Sequence, residues 1–228
     1  MSHLSRTWKH AFKLDPDREI GEEALERLCL SGSDAIIVGG STGITYEKTL
    51  DLLYRIRRYE MMCALEVSVI DAVVPGFDVY LIPMVLNTNN SDWIIGHHLE
   101  AIRRFGAIMP WNKLIVEGYI ILNPDSAAAK VAQTYQPSCA DEICALAELA
   151  DRLLQLPLIY IEYSGMYGDM ELVRRIRSQL VNARLIYGGG IDGLARAEEA
   201  RKAADTIVVG NLIYDDFEAA LATIGDQS

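Results

Sequence analysis

Residues 184–190, RLIYGGG, and residues 206–211, TIVVGN, decide the fold that this sequence predicts. Each stretch is a short apolar run that ends in glycine, and each precedes a segment with the composition of a helix. Glycine lets a backbone approach a ligand closely, and the free N–H groups of strand-to-helix turns attract anions. In a (β/α)8 barrel the loops after the seventh and eighth strands form the usual phosphate site. The two turns therefore indicate a protein that binds a phosphorylated small molecule.

Short β-branched runs alternate with amphipathic stretches along the chain, which is the order of a parallel sheet with crossover helices. Eight such units predict a closed barrel. The predicted strands are His10–Leu14, Asp34–Val38, Met62–Val69, Val79–Leu86, Leu114–Leu122, Leu158–Tyr163, Arg184–Tyr187 and Thr206–Val209. The predicted helices lie near Gly21–Leu30, Thr45–Tyr59, Asp92–Phe105, Asp141–Gln155, Asp169–Val181, Gly193–Lys202 and Tyr214–Ala222.

The unit between the third and fourth predicted strands is irregular. Ile70–Gly76 is too short for a crossover helix and contains a proline, so a loop or an extended segment is expected there. The fold class is therefore a modified α/β (β/α)8 TIM barrel whose third helix is replaced. No linker rich in Pro, Ser or Gly divides the sequence, which predicts a single domain over residues 1–228. Aspartates stand where an N-cap is expected at three helix starts: Asp141, Asp169 and Asp192.

The composition excludes several classes of protein. Half of the 228 residues are apolar and 23% are charged, as in soluble globular proteins. No segment approaches the roughly 18 uninterrupted apolar residues of a membrane span, and residues 1–6 lack the apolar run of a signal peptide. The net charge of −11 argues against nonspecific binding of nucleic acid. We therefore expect a cytoplasmic protein that captures an anionic substrate by local chemistry.

Lys13 and Asp15 stand two residues apart at the end of the first predicted strand, and so share one face. They form either an internal ion pair at the barrel rim or a cation for phosphate beside a ligand for Mg²⁺. Magnesium takes one or two protein oxygens and completes its shell with water and substrate phosphate. Asp15 and the hydroxyl of Ser41 would supply those oxygens.

Glu162 lies in the sixth predicted strand and shares a face with Tyr160. A carboxylate in a buried strand needs partners. Glu162 is therefore either one half of an ion pair or a general base that accepts a hydrogen bond from a substrate hydroxyl. Tyr119 and Glu117 are inward-facing candidates on the fifth strand, and Glu66 is as well explained by an ion pair within the barrel.

Seven segments, read together, carry a resemblance to a known family. They are WKH and FKLDP at 8–10 and 12–16, DA and VGGS at 34–35 and 38–41, VPGFD at 74–78, EGY at 117–119, YIEYSG at 160–165, YGGGI at 187–191 and VVGN at 208–211. In this order, and over nearly the whole chain, they resemble the geranylgeranylglyceryl phosphate synthase family, above all its bacterial heptaprenylglyceryl branch. Each motif alone is weak evidence for the family, but the seven together are specific for it.

The resemblance implies a Mg²⁺-dependent prenyltransferase on a modified barrel, commonly a homodimer. Such an enzyme joins sn-glycerol 1-phosphate to a long polyprenyl diphosphate through an ether bond and releases pyrophosphate. Lys13 would contact glycerol phosphate, while Asp15 and Ser41 would serve the metal. The pocket for glycerol phosphate would be formed by Tyr160, Ile161, Glu162, Tyr163, Ser164 and Gly165, with Gly190, Gly210 and Asn211 as its phosphate cup. The choice of glycerol phosphate enantiomer and the length of the tail come from the resemblance alone.

Two residues receive catalytic roles on this interpretation, and one a role in specificity. Glu162 would orient the attacking hydroxyl and accept its proton, and Tyr119 would shield positive charge at the allylic carbon. Ala101, on the helix predicted near Asp92–Phe105, would leave passage for a long tail in an apolar groove. Transient contact with a membrane surface would let the protein collect that tail.

Other interpretations stay open on the residues alone. The nearest is another phosphate-binding barrel enzyme that acts on a phosphosugar, and turnover without magnesium would favour it. A flavin-binding barrel would give a coloured protein. A non-catalytic module that binds phosphometabolites would tolerate the loss of Glu162 and Asp15.

Overall fold

Eight parallel strands close into a barrel in a computed structural model of the protein, which describes residues 7–225. The strands are β1 His10–Leu14, β2 Ala35–Val38, β3 Cys63–Glu66, β4 Val79–Val85, β5 Leu114–Ile121, β6 Leu158–Glu162, β7 Arg184–Gly188 and β8 Thr206–Val209. Strand β1 pairs with β8, Ala11 lying opposite Val208, so the sheet has no open edge. The predicted (β/α)8 barrel is confirmed.

The helices form an outer layer around the strands. They are α1 Glu22–Cys29, α2 Tyr46–Ile56, α3 Gly96–Phe105, α4 Ala127–Ala132, α5 Ala140–Glu148, α6 Met170–Gln179, α7 Leu194–Arg201, α8 Leu212–Asp215 and α9 Phe217–Ala222. Helix α4 was not predicted, and α5 continues into a π-helical turn at Leu149–Leu153. The last predicted helix is two short ones, because Asp216 adopts an extended conformation and caps α9.

The irregular third unit is confirmed. A single 3-10 turn, Ile70–Ala72, takes the place of a crossover helix between β3 and β4. The chain leaves this turn at Val73 in an extended conformation, as the short, proline-containing sequence requires.

The three predicted N-cap aspartates differ in outcome. Asp169 caps α6, its Oδ1 accepting hydrogen bonds from the N–H groups of Glu171 and Leu172. The prediction for Asp192 was wrong, because Gly193 is the N-cap of α7 and the Asp192 carboxylate pairs with Arg196 instead. Asp141 was wrong as well: it lies inside the first turn of α5, where its charge still complements the helix dipole.

Side chains of each strand alternate between two apolar regions. Ala35 and Ile37 of β2 point into the barrel, whereas Ile36 and Val38 pack in the layer shared with the helices. Trp8, which is 3% exposed, closes the amino end of the barrel. Its carbonyl accepts hydrogen bonds from Thr206 Oγ1 at 2.7 Å and from Arg184 Nη2 at 2.9 Å. The barrel is therefore open only at the carboxyl ends of its strands.

Asp151 in the π-helical turn fixes the segment that leads into β7. Its Oδ1 accepts the N–H groups of Asn182 and Ala183 at 2.9 and 2.7 Å, and its Oδ2 accepts that of Val181 at 2.8 Å. The carboxylate is fully buried. Burial alone would raise the pKa of Asp151, but the three backbone N–H bonds outweigh it and lower that pKa.

Replacing Asp151 by Asn should destabilise the fold by about 2–3 kcal/mol, since an amide cannot accept all three bonds and turns an NH2 group toward an N–H. Urea unfolding of Asp151→Asn at pH 7 measures this loss. Asp141→Asn, an exposed carboxylate on neighbouring α5, is the matched control and should change stability by less than about 1 kcal/mol. Equal stability of both variants would contradict the assigned role.

Residues 7–225 contain no helix that is both long and apolar enough to cross a membrane. Residues 1–6, on which the expectation about a signal peptide depends, lie outside the described residues, as do residues 226–228. The described residues form one barrel, and a single domain over 1–228 stays a prediction.

Candidate active site

A cavity of about 560 Å³ opens at the carboxyl ends of the strands. The sequence-predicted residues that line it are Lys13, Asp15, Ser41, Tyr160, Glu162, Ser164, Gly165, Gly190, Gly210 and Asn211. These residues come from five strand ends, and the closed barrel brings them around one space.

A larger and more open groove of about 870 Å³ lies elsewhere, between α1, α7 and α9. Its lining includes the carboxylates Glu23, Glu26 and Glu198 and only one cation, Arg27. Such a lining repels phosphate. The cavity at the strand ends is therefore the better candidate for an anionic substrate.

Lys13 forms its ion pair with Glu66 of β3, not with Asp15. Its Nζ donates to Glu66 Oε1 at 2.7 Å and to Oε2 at 2.9 Å. Burial opposes the charge on Lys13, but the carboxylates of Glu66 and Glu162 outweigh it and raise the pKa of Lys13. The ammonium thus stays charged, and its side chain remains 18% exposed. Lys13 can contact an anion in the cavity while Glu66 holds it in place.

Glu162 lies beside the cavity with both carboxylate oxygens engaged. Tyr119 Oη donates to Oε2 at 3.0 Å, and the N–H of Ser164 donates to Oε1. Burial raises the pKa of Glu162, although Lys13 and the Ser164 N–H oppose that rise. A carboxylate with a raised pKa and fixed orientation suits a general base.

Two buried polar groups near Glu162 have no hydrogen-bond partner among the residues described. One is the hydroxyl of Tyr160, which lines the cavity; the other is the carboxyl group of Glu117. The Tyr160 ring stacks on that of Tyr119, with centroids 4.7 Å apart. Burial and the neighbouring carboxylate of Glu66 raise the pKa of Glu117 well above its usual value. Burial, together with the carboxylate of Glu162, raises the pKa of Tyr160 well above its usual value.

The glycines at the ends of β6, β7 and β8 form a cup of backbone. Gly190 has φ +56°, and a Cβ there would lie 2.1 Å from the backbone nitrogen of Tyr167. Gly165 has φ +81°, which side chains rarely tolerate. A Cβ at Gly210 would lie 3.5 Å from the carbonyl oxygen of Lys13. Close backbone approach and free N–H groups are the features of a phosphate site.

The sequence pattern of the PcrB family matches residues 3–228. The chain belongs to the PcrB family. A PcrB-family relative from Bacillus cereus strain ATCC 10987, named heptaprenylglyceryl phosphate synthase, is 53% identical over 220 residues that cover 95% of each chain. A relative of the same name from Geobacillus kaustophilus strain HTA426 is 52% identical over 219 residues, 96% of this chain and 92% of its own. The resemblance given by the motifs is confirmed.

A solved structure shares the barrel of this PcrB-family chain. It is (S)-3-O-geranylgeranylglyceryl phosphate synthase from Thermoplasma acidophilum in complex with sn-glycerol-1-phosphate, with a TM-score of 0.84. It is 22% identical, and the match covers 97% of this chain and 94% of that one. At that identity the likeness concerns the fold alone.

Four of the predicted site residues do not line the cavity. Tyr119 lies inside the barrel behind the lining and reaches the site only through its bond to Glu162. The side chains of Ile161 and Tyr163 pack in the layer between the barrel and the helices, because they alternate with Tyr160 and Glu162 along β6. Their side chains do not line the cavity, and a contact of this stretch with substrate through its backbone stays a prediction. Ala101 lies on α3, apart from the cavity lining.

The predicted metal ligands fit a magnesium ion with few protein ligands. Asp15 and Ser41 both line the cavity. The Asp15 carboxylate occupies space left by Gly40, since a Cβ there would lie 2.6 Å from it. Burial raises the pKa of Asp15. Lys13 forms its ion pair with Glu66, so a metal ion could neutralise the Asp15 carboxylate. Residues 7–225 hold no metal-ready cluster of three or more His, Cys, Asp or Glu.

Three residues to which the sequence assigned no role position the loops of this PcrB-family site. Asn123 Nδ2 donates to the carbonyl of Ser164 at 2.9 Å and so braces the loop after β6. Arg196 Nη1 donates to the carbonyl of Gly190 at 3.1 Å. Arg18 lines the cavity and contacts Asn211. The position of Asn123 at the end of a predicted strand was the one available signal.

Proposed function

We propose that this PcrB-family protein transfers a long polyprenyl group, heptaprenyl by the names of its relatives, from its diphosphate to sn-glycerol 1-phosphate. The product is an ether of the archaeal type, and pyrophosphate is released. One observation carries the proposal: a single cavity combines a glycine cup, the buried base Glu162 and the carboxylate of Asp15. The names of the Bacillus and Geobacillus relatives and the ligand of the Thermoplasma structure support it.

Glycerol phosphate binds with its phosphate in the cup, where the backbone of Gly190 and Gly210 supplies N–H donors. Lys13, which is paired with Glu66, contributes a cation to the cavity wall. The glycerol backbone then extends toward Glu162, past Tyr160 in the cavity wall. Binding therefore leaves one glycerol hydroxyl at the carboxylate of Glu162.

The reaction is a substitution at the allylic carbon that carries the diphosphate. The glycerol hydroxyl oxygen forms a bond to that carbon as the bond from the carbon to the diphosphate oxygen breaks. The hydroxyl proton moves to Glu162, and the bonding electrons leave with pyrophosphate. Tyr119 lies behind the cavity lining, where its ring stacks on Tyr160 and its hydroxyl donates to Glu162, so that it holds the base in place.

Asp15 and Ser41 are the residues that would hold Mg²⁺, since both offer hard oxygen ligands to the cavity. When bound, the ion neutralises the diphosphate and makes it a better leaving group. Asp15 is held ready by the N–H of Asp17, which donates to its Oδ1 at 2.9 Å.

The prenyl tail needs an apolar surface, and α3 provides one. No residue of α3 is fully buried. The outward side chains of β4 and β5 beneath it, Ile82, Met84 and Val116, are only partly buried. His98 ties α3 to β4, a ring nitrogen lying 3.0 Å from the carbonyl of Pro83. We propose that the tail lies along this partly buried apolar surface, with Ala101 as the small residue that leaves it room.

Ala101→Trp should fill this space and shift the preferred donor from heptaprenyl to a shorter diphosphate, with kcat/KM for the longest donor reduced at least about tenfold. Competition between donors of several lengths measures the shift. Ala107→Trp, at an exposed position beyond the helix, is the matched control. An unchanged preference in Ala101→Trp would remove this residue from the groove.

The function is tested by incubating the protein with Mg²⁺, radiolabelled sn-glycerol 1-phosphate and prenyl diphosphates of several lengths, followed by extraction with organic solvent. Label should enter the organic phase only with Mg²⁺, and best with a long donor. Parallel reactions with the 3-phosphate enantiomer test the choice of glycerol phosphate. Label that stays in water with every donor would reject the transferase in favour of a phosphosugar enzyme.

Four further properties complete the proposal: the dimer rests on the family, the membrane contact on the apolar substrate, and the other two on the composition and net charge. The protein works as a homodimer in the cytoplasm, contacts the membrane only transiently, and binds no nucleic acid. Light scattering that gives the mass of a single chain, 25.3 kDa, would contradict the dimer.

A further inference from the structure

Arg18 connects the two loops that flank the cavity on either side of the β1–β8 seam. Its Nη1 donates to Oδ1 of Asn211 at 3.2 Å, across 193 residues of sequence. Its guanidinium carbon lies 3.7 Å from the centroid of the Tyr214 ring. The hydroxyl of the same tyrosine accepts the N–H of Asp15 at 3.2 Å. Tyr214 therefore supports Arg18 with its ring and the Asp15 loop with its hydroxyl.

The contact with Arg18 determines which way the Asn211 amide faces. A guanidinium has five donors and no acceptor, so the atom that it contacts must be the amide oxygen. The amide nitrogen then points away from Arg18. Nδ2 of Asn211 lies 3.7 Å from the position that a Cβ of Gly165 would occupy, at the glycine cup. Two N–H donors are thus aimed at the place where the phosphate binds.

The alternative, a surface ion pair, explains Arg18 poorly. Its nearest carboxylate oxygen, Asp215 Oδ1, is 4.0 Å from Nη2, and both side chains are exposed. Such a pair contributes little free energy. The stacking on Tyr214 and the bond to Asn211 are the contacts that hold the guanidinium.

We propose that Arg18 is a positioning residue for glycerol phosphate: held flat on Tyr214, it bonds Oδ1 of Asn211 and so fixes the Asn211 NH2 group as a phosphate donor. This inference rests on the proposed function, because it assigns the ligand of the cup. Its consequence is specific to one substrate. Loss of Arg18 weakens the binding of glycerol phosphate and leaves the binding of the prenyl diphosphate unchanged.

The first measurement is the Kd of sn-glycerol 1-phosphate by calorimetry, without prenyl donor, for Arg18→Met, Asn211→Ala and the double variant. Each single substitution should raise Kd about tenfold, or ~1.4 kcal/mol. The double variant should bind about as weakly as Asn211→Ala alone, because Arg18 acts through Asn211. Arg18→Lys, which keeps the charge and loses the stacked fork, should recover part of the affinity.

Two controls separate positioning from charge and from folding. Asn211→Asp keeps the partner of Arg18 but loses the NH2 group, so it should bind at least as weakly as Asn211→Ala. Arg27→Met removes a similarly exposed arginine that also stacks on an aromatic ring, Phe217, and neither residue lines the cavity. It should bind like the wild type. In turnover, Arg18→Met should raise KM for glycerol phosphate with KM for the prenyl diphosphate within about twofold.

The outcomes distinguish this inference from the function on which it rests. Wild-type protein that binds no glycerol phosphate overturns both. Wild-type binding that is unchanged in a folded Arg18→Met variant overturns the inference alone. So does a double variant whose Kd rises about a hundredfold, since the two residues would then act independently.

Discussion

Glu162→Gln is expected to lower kcat for prenyl transfer by at least about a hundredfold, the range that a positioned general base contributes. KM for glycerol phosphate should change little, because the amide occupies the same space, its oxygen can accept from the Ser164 N–H, and its NH2 group can donate to the Tyr119 hydroxyl oxygen. The wild-type kcat should also fall as the pH drops through the pKa of Glu162, since only the carboxylate accepts a proton. Burial raises that pKa, so the acid limb should lie above the usual range of a glutamate.

Tyr119→Phe is the matched control for this prediction. It removes the hydroxyl that donates to Glu162 Oε2 but keeps the ring stacked on Tyr160. Its kcat should fall less than about tenfold, as expected for a lost hydrogen bond. Near-normal turnover by Glu162→Gln would remove the proposed base, and a larger loss in Tyr119→Phe would transfer the main role to the phenol.

Acid should destabilise the protein through His10, by roughly 5 kcal/mol between pH 6.5 and 3. His10 is 2% exposed, with Nδ1 2.9 Å from Ser33 Oγ and Nε2 3.0 Å from Thr223 Oγ1. Burial, helped by the charge of Arg201, lowers its pKa to about 3. The unfolded chain takes up a proton near pH 6.5 and the folded chain does not. The stabilisation is therefore complete above pH 6.5 and is lost as the pH falls toward 3.

His10→Gln, which cannot be protonated, isolates this contribution from that of the carboxylates. The free energy of unfolding in urea should fall more steeply between pH 7 and 4.5 in the wild type, by about 3 kcal/mol, than in the variant. His97→Gln, at an exposed position, should follow the wild type. Parallel pH profiles for all three proteins would show that His10 is not the acid-sensitive group.

The barrel was predictable because its signals are local. Each strand is an apolar run and each helix an amphipathic one, so order and number followed directly from the sequence. Bounds were less certain: the third predicted strand, Met62–Val69, is only Cys63–Glu66 in the sheet. Helix α4, Ala127–Ala132, was missed because six residues rich in alanine show no helical periodicity.

The site was predictable only where backbone geometry decides it. The glycine turns and the alternation of Tyr160 and Glu162 placed the cup and the base. The same alternation should have excluded the side chains of Ile161 and Tyr163, which the family motif had included. The ion-pair partner of Lys13 could not be predicted in the same way. It is Glu66 of β3, a strand that is not adjacent to β1, and the two side chains meet only inside the closed barrel. Arg18 stands among charged loop residues, and nothing local points to Asn211.

The closure of β1 against β8 sets the order in which the protein gains its substrate site during synthesis. The ribosome makes Arg18 193 residues before Asn211, a delay of about 10–40 s at ~5–20 residues per second. Until β8 emerges, the nascent chain holds Lys13, Asp15 and Glu162 without half of the cup. Glycerol phosphate therefore cannot assist the early folding of the chain. It can stabilise only the finished ring, and its binding reports that the last strand is in place.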